Sequence, residues 1–287
     1  MSEQAPRDRR LLRSNGAVAH SSLKGMVEAE RFTDGEWMQV IAPSATIWSA
    51  EGRRERELLY GQTVCVLEGE PDEGERVFGY ALGNGYVGYF DASVLAEAKG
   101  AASHVVQTRM TYALGAPDFK TQEEHFPLSL GAMVRVMGVH GRWAETDDGR
   151  FVPASHLRPV AAHEADPVAV AERFLGTPYV WGGDSALGID CSGLVQAACR
   201  ACGVACPGDS DLQEGALGEA LGDRTPARGD LLFWKGHVAW VVDEVTLLHA
   251  NAHHMAVAYE DMGAAIARII EQGDGPVTAR KRLGVLR

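Results

Sequence analysis

Three residues spread along the chain have the types needed for nucleophilic chemistry: Cys191, His237 and His249. Cys191 lies in Gly188-Ile189-Asp190-Cys191-Ser192-Gly193-Leu194, His237 in Gly236-His237-Val238, and His249 in Leu248-His249-Ala250-Asn251. A thiol is mostly protonated at neutral pH, so a nucleophilic cysteine needs an adjacent base or a helix N-terminus to lower its pKa. The base in turn needs a third polar group to fix its tautomer. A cysteine, a downstream histidine and a second polar residue are the parts of a thiol peptidase.

The neighbouring sequence supplies elements to position these groups. Residues 190–202 read as a helix, with apolar or small residues at Leu194, Val195, Ala198, Cys199 and Cys202 and with Gly203 where a left-handed stop is expected. Cys191 then falls in the first turn, where unpaired backbone N–H groups favour a thiolate and can hold an oxyanion. Val238–Val242 and Val245–His249 are β-prone runs around Asp243-Glu244, a predicted hairpin. A turn centred near position 243 sets His249 opposite His237 to within one residue of register. Spacing alone does not say which histidine is the base and which the orienter.

With these motifs stand Tyr179-Val180-Trp181-Gly182-Gly183 and Arg228-Gly229-Asp230-Leu231-Leu232-Phe233-Trp234. Taken in order, the series resembles the NlpC-type branch of the papain-like cysteine peptidases, which cleave bacterial cell-wall peptides. The resemblance implies Cys191 as nucleophile, His237 as base, His249 as its orienting partner and Tyr179 beside the nucleophile, with no cofactor. Trp181 is expected to pack in the core.

Length and charge bound the rest. A chain of 287 residues has room for two to three domains. Its net charge of −12 argues against a sequence-independent grip on nucleic acid or on an anionic membrane, both of which need basic patches. No apolar stretch follows the charged N-terminus, so the expected location is cytoplasmic. Five cysteines, an odd number, suit a reducing compartment. Cys199, Cys202 and Cys206 have a spacing that can hold zinc, but Cys199 and Cys202 fit the buried stripe of the nucleophile's helix, and core packing without metal is the expectation.

The first 160 residues are rich in short β-prone runs broken by Gly, Asp and Asn. Gly61-Gln62-Thr63-Val64-Cys65-Val66-Leu67 parallels Gly131-Ala132-Met133-Val134-Arg135-Val136-Met137, and Gly85-Tyr86-Val87 leading to Leu95 parallels Gly149-Arg150-Phe151 leading to Leu157. The pattern resembles bacterial SH3-like modules in tandem. The expected organisation is an N-terminal arm over 1–35, SH3-like barrels over 36–98 and 104–160, and the peptidase domain over 163–287. Asp166-Pro167 starts a predicted short helix that runs through Leu175 and stops at Gly176. The expected fold class is α+β, a papain-like catalytic domain preceded by two small all-β barrels.

Asp209-Ser210-Asp211-Leu212-Gln213 extends the resemblance to a subgroup with two such modules and no export signal. Its members trim free murein peptides, cutting between γ-D-glutamate and the diamino acid behind an unblocked L-alanine. The resemblance then implies that Asp190, Ser192 and Ser210, with Tyr86 and an acidic residue near Glu57, hold the substrate's ammonium group. Asp190 also reads as a helix N-cap, and Tyr86 also fits a barrel core. Glu57 sits in Arg53-Arg54-Glu55-Arg56-Glu57, a run whose charges are expected to be solvated, and Glu51 or Glu55 compete with it. Relatives commonly carry arginine where this chain has Gly208, which leaves the partner of the substrate's carboxylates open. His253 and His254 are expected at surface or packing positions. Two other readings are an exported endopeptidase acting on intact wall and a peptidoglycan-binding protein with an inactive peptidase domain.

Overall fold

The structure, a computed structural model, describes residues 8–69, 76–123 and 125–284, and the chain divides into two units. The first runs to Val106 and includes Thr111–Leu128 and Ala132–Pro159; the second comprises Gln107–Met110, Ser129–Gly131 and the chain from Val160 onward.

The first unit is built from strands. Seven of them form one antiparallel sheet in the order Arg54–Leu59, Ser44–Trp48, Val87–Asp91, Arg76–Ala81, Thr63–Glu68, Glu36–Val40 and Leu95–Glu97. Val40, Ile47, Leu58, Val64, Phe90 and Leu95 fill its core. Between residues 104 and 159 lie a five-stranded and a three-stranded sheet around Val106, Leu128, Val134, Ala144, Val152 and Leu157. The internal parallel in the sequence has a backbone counterpart. Gly61 and Gly131 both have left-handed φ, +77° and +91°, a conformation that side-chain-bearing residues rarely adopt. Single 3₁₀ turns, Ala92–Val94 and Ala154–His156, precede the buried Leu95 and Leu157. In the N-terminal arm Val18–His20 pairs in parallel with Arg31–Thr33, and Val18 packs with Cys65, Leu67, Phe78 and Tyr80.

One expectation fails in this unit. The charge run around Glu57 is not solvated: Arg56 and Glu57 are buried in the strand Arg54–Leu59, paired antiparallel with Ile47 and Thr46. The buried Leu58 and Leu59 that follow carry the strand into the core.

Among the described residues, the second unit holds a six-stranded antiparallel sheet and four α-helices. Strand order is Glu219–Ala220, Ala279–Arg282, Asp230–Trp234, His237–Val241, Thr246–Asn251 and Ala256–Asp261. The helices are α1 (Pro167–Glu172), α2 (Cys191–Ala201), α3 (Ser210–Ala216) and α4 (Met262–Glu271). Strand alternation sends Val238, Trp240 and Leu248 to one face, where they pack with Leu194, Val195 and Ala198 of α2. Ala239, Val241 and Leu247 pack with Ala265 and Ile269 of α4.

Asp166 caps α1 as expected, accepting from the N–H groups of Val168 and Ala169 at 2.9 and 3.2 Å. The helix stops at Glu172, short of the predicted Leu175. The last residues tighten into i to i−3 bonds, Phe174 N–H to the Ala171 carbonyl and Leu175 N–H to that of Glu172, before Gly176 turns the chain away. No helix among the described residues is long and apolar enough to cross a membrane.

Candidate active site

Cys191 is the first residue of α2, and the turn that presents it is fastened by Asp190. Asp190 Oδ1 accepts the Gly193 N–H at 2.7 Å and the Ser192 hydroxyl at 2.9 Å, while Oδ2 accepts the Gly182 N–H at 2.9 Å. The carboxylate is therefore an N-cap that also ties the Trp181-Gly182-Gly183 segment to the start of α2. It lies at the positive end of the helix dipole, where negative charge is favoured. At the other end Gly203, with φ +74°, stops the helix where the sequence predicts.

Ser192 is buried beside the cap, and Ser210 is buried at the start of α3. Gln213 joins these two elements. Its Nε2 donates to the Ser192 carbonyl at 2.9 Å and to the Pro207 carbonyl at 3.0 Å, so the residue pins the loop before Ser210 to the start of α2.

The two histidines meet. His237 Nε2 lies 2.8 Å from His249 Nδ1. The hairpin turns one residue later than expected: Trp240 pairs with Leu248, Val241 with Leu247, and the Val242 N–H with the Thr246 carbonyl. His249 is thus diagonal to His237 rather than opposite it. A register offset of two residues keeps both side chains on one face of the sheet, which is why they still touch.

Sequence reasoning missed what lies behind them. His249 Nε2 is 2.9 Å from Glu260 Oε2, and Arg268 of α4 clamps that carboxylate with Nε to Oε1 at 2.9 Å and Nη2 to Oε2 at 2.7 Å. Glu260 pairs with Leu247 on the neighbouring strand, which makes it the diagonal neighbour of His249 on the same face. The signal available in the sequence was the period of two from Ala258 to Glu260 after the tight Asn251–Ala256 connection.

The electrostatics hold the imidazoles neutral. Burial, then the adjacent His249 and Arg268, push the pKa of His237 down to about 3, and Glu260 opposes them. Burial also lowers His249, against the pull of Glu260. Burial alone would raise Glu260, but hydrogen bonds from His249 and Arg268 outweigh it and hold the carboxyl well below its ordinary range. A neutral imidazole backed by a fixed anion is the form in which a histidine can take a proton from a thiol.

Tyr179 is half-buried and packs against the same core cluster as Cys191. Its N–H donates to the Met255 carbonyl at 2.9 Å, and the N–H of Ile189, two residues before Cys191, donates to the Pro178 carbonyl at 3.0 Å. Trp181 departs from expectation. It is 67 % exposed, because the backbone it sits on is drawn in by the Gly182 bond to Asp190 while the indole points away from the core. The remaining candidates belong to the first unit: Tyr86 is fully buried in its hydrophobic core, and Glu57 is buried with its Oε1 3.3 Å from Arg54 Nη2. Cys199, Cys202 and Cys206 are buried thiols, none of them in a disulfide, and among the described residues no cluster has the makings of a metal site. His253 and His254 lie on the exposed turn after Asn251, whose Oδ1 accepts the His254 N–H at 2.8 Å.

Residues 176–269, which include Cys191, both histidines and Glu260, match the NlpC/P60 family. The second unit carries an NlpC/P60 domain. Among curated proteins, the chain is 40% identical over 99 residues to dipeptidyl-peptidase 6 of Lysinibacillus sphaericus, covering 34% of this chain and 36% of that one. It is 32% identical over 116 residues to a gamma-D-glutamyl-L-lysine dipeptidyl-peptidase of Bacillus cereus, covering 38% and 34% of the two chains. The matches span about a third of those relatives' length. A crystal structure of an NlpC/P60 family protein from Bacillus cereus superposes with a TM-score of 0.73 over 86% of this chain and 99% of that one, at 18% identity, so the two share a fold. That fold is α+β, with a papain-like NlpC/P60 domain after a β-rich N-terminal region.

Proposed function

We propose that this protein is a cysteine peptidase that hydrolyses the γ-D-glutamyl bond to the diamino acid in free murein peptides with an unblocked L-alanine. The observation that carries this reading is the contact of His237 with His249 in the strands packed under α2, whose first residue is Cys191. The substrate class is supported by the names of three curated relatives, which are dipeptidyl-peptidases.

In this mechanism His237 takes the Cys191 proton as Sγ bonds to the γ-glutamyl carbonyl carbon. Since His237 Nε2 is engaged by His249, the proton lands on Nδ1. The Cys191 N–H and the Tyr179 hydroxyl stabilise the oxyanion. Collapse expels the diamino acid's amine, which takes the proton from His237, and leaves a thioester on Cys191. A water molecule, deprotonated by His237, then releases the acid and restores the thiol. Asp190, Ser192 and Ser210 are assigned to the alanine ammonium group, and the two β modules of the first unit are assigned as SH3-like. Cysteines held as thiols rather than disulfides suit a cytoplasmic setting, which goes with this reading as part of the proposal.

The test is digestion of synthetic L-Ala-γ-D-Glu tripeptides ending in lysine or diaminopimelate, in parallel with intact sacculi. Release of L-Ala-D-Glu from a tripeptide with sacculi untouched supports the reading. Cleavage of sacculi alone indicates a wall endopeptidase, and cleavage of neither, with Cys191 no more reactive to a thiol probe than Cys65, indicates a binding protein.

A further inference from the structure

The hydrogen bonds behind His249 form a chain whose direction is fixed at one end. Arg268 Nε and Nη2 engage both oxygens of Glu260, and Arg268 Nη1 donates to Gln272 Oε1 at 2.9 Å. The Glu260 side chain is largely enclosed, at 11% exposure. An ionised carboxylate only accepts. His249 Nε2, 2.9 Å from it, must therefore carry hydrogen. A neutral imidazole has one N–H, so His249 Nδ1 is an acceptor, and the His237 Nε2 that lies 2.8 Å from it must be the donor. One carboxylate thus determines the proton position on two rings in succession, and it leaves Nδ1 of His237 as the bare nitrogen.

We infer that Glu260, fixed by Arg268, is a positioning residue that sets the tautomers of His249 and His237 and so keeps the lone pair of His237 Nδ1 available for the Cys191 thiol. The inference rests on the proposed peptidase reading for its use, and on the hydrogen-bond geometry together with a neutral His249 and an ionised Glu260 for its existence. The apolar packing of α4 is carried by Ala265 and Ile269, seated against Leu232, Trp234 and Leu247. Arg268 acts on the carboxylate itself. By engaging both oxygens it helps hold the Glu260 carboxyl well below the ordinary carboxylate range, and so ionised and acceptor-only at neutral pH. Without the Glu260 carboxylate, His249 can turn its N–H toward His237, whose Nε2 then becomes an acceptor and whose Nδ1 carries the proton. That arrangement places N–H against S–H and has no base. Loss of the correct tautomer in a hydrolytic triad costs on the order of 10⁴-fold in turnover, as known for a serine protease whose aspartate is replaced by asparagine.

The experiment uses the full chain labelled with ¹⁵N-histidine, with the ring nitrogens of His237 and His249 assigned through single His→Gln variants. The expected wild-type spectrum has Nε2 protonated and Nδ1 bare on both rings. Glu260→Leu is expected to convert each ring to a tautomer mixture and to slow alkylation of Cys191 by iodoacetamide at pH 7 at least tenfold, with the fold retained. Arg268→Met is expected to have a smaller effect at pH 7 that grows as the pH is lowered, because Glu260 then protonates within the working range, and Arg268→Lys is expected to restore part of the loss. A protonated Nδ1 on wild-type His249 overturns the inference, and so does a Glu260→Leu protein with an unchanged ring pattern and alkylation rate. Should Glu260→Leu fail to fold, the wild-type spectrum and the isosteric Glu260→Gln decide the matter by the same readouts. A protein that shows the expected spectrum but cleaves no γ-glutamyl peptide leaves this inference standing and removes the peptidase reading instead.

Discussion

The Nε2 atom of His237 and the Nδ1 atom of His249 approach to 2.8 Å across a two-residue diagonal of the hairpin, so the second ring holds the first by its far nitrogen. An amide at position 249 can accept the same N–H without the tautomer problem. His249→Asn and His249→Gln are therefore expected to keep a measurable part of kcat with KM little changed, while Cys191→Ala loses turnover entirely. Steady-state cleavage of the tripeptide checks this. Equal and total loss in His249→Gln shows that position 249 does more than orient the base, and full activity of Cys191→Ala ends the thiol mechanism.

Both imidazoles are neutral in the folded protein at pH values where free histidine is charged. In the unfolded chain His237 titrates near 6.5, whereas in the fold its pKa lies at about 3. Above pH 6.5 the two states bind equal numbers of protons and His237 has no effect on stability. Below it the unfolded chain takes up a proton that the folded protein refuses, so stability falls as pH falls toward about 3, by up to about 1.4 kcal/mol per pH unit for each such group. His249, also lowered, acts in the same direction. Urea denaturation between pH 7 and 4.5 is expected to show a steep acid loss, and His237→Gln is expected to flatten it by about one proton. An unchanged slope in that variant shows that His237 titrates normally.

Much of this site was written in local sequence. Asp190 as cap, Cys191 in the first turn and Gly203 as stop are set by residues within one helix, and the hairpin bearing the two histidines follows from β-prone runs around Asp243-Glu244. What the sequence withheld depends on tertiary pairing. The register of strand Ala256–Asp261 puts Glu260 diagonal to His249, and Arg268 reaches it from a helix that starts only after the Asp261 cap. No spacing motif announces either. Trp181 and the charge run ending at Glu57 misled in opposite directions for one reason: side-chain type describes average burial, whereas position on the backbone decides it, outward beside the Asp190 knot and inward on the strand Arg54–Leu59.

Gln213 offers a test of how α3 is secured. The side chain is completely buried, and its Nε2 donates to carbonyls on either side of the site, those of Ser192 and Pro207. Gln213→Met keeps the volume but leaves those carbonyls without their donor, a loss of about 1–3 kcal/mol. Gln213→Glu removes the same donor and sets a carboxyl against two carbonyl oxygens, so its cost is greater, through burial either of a charge or of a raised pKa. Denaturation midpoints for the three proteins are expected to rank wild type, Met, then Glu. A Glu variant as stable as wild type shows that the loop before Ser210 is not pinned by this amide.

The last prediction concerns the free amino terminus of the substrate. Asp190 accepts from the Gly193 and Gly182 N–H groups and from the Ser192 hydroxyl, and these donors keep its charge localised at the start of α2. A buried carboxylate fixed in this way is a preorganised partner for an ammonium group, whose donors are charge-assisted. If the alanine ammonium binds at Asp190, acetylation removes the cation and adds bulk at the same point. One lost buried charge-assisted contact is worth on the order of 1.5–3 kcal/mol, or roughly ten- to a hundredfold in kcat/KM, and steric exclusion adds to it. N-acetylated L-Ala-γ-D-Glu tripeptide is therefore expected to be cleaved at least ten times less efficiently than the free peptide. Asp190→Asn is expected to narrow that gap as well as to lower stability, because an amide at the cap cannot accept all three donors. Equal kcat/KM for the acetylated and free peptides removes Asp190 from substrate recognition and leaves it with the cap alone.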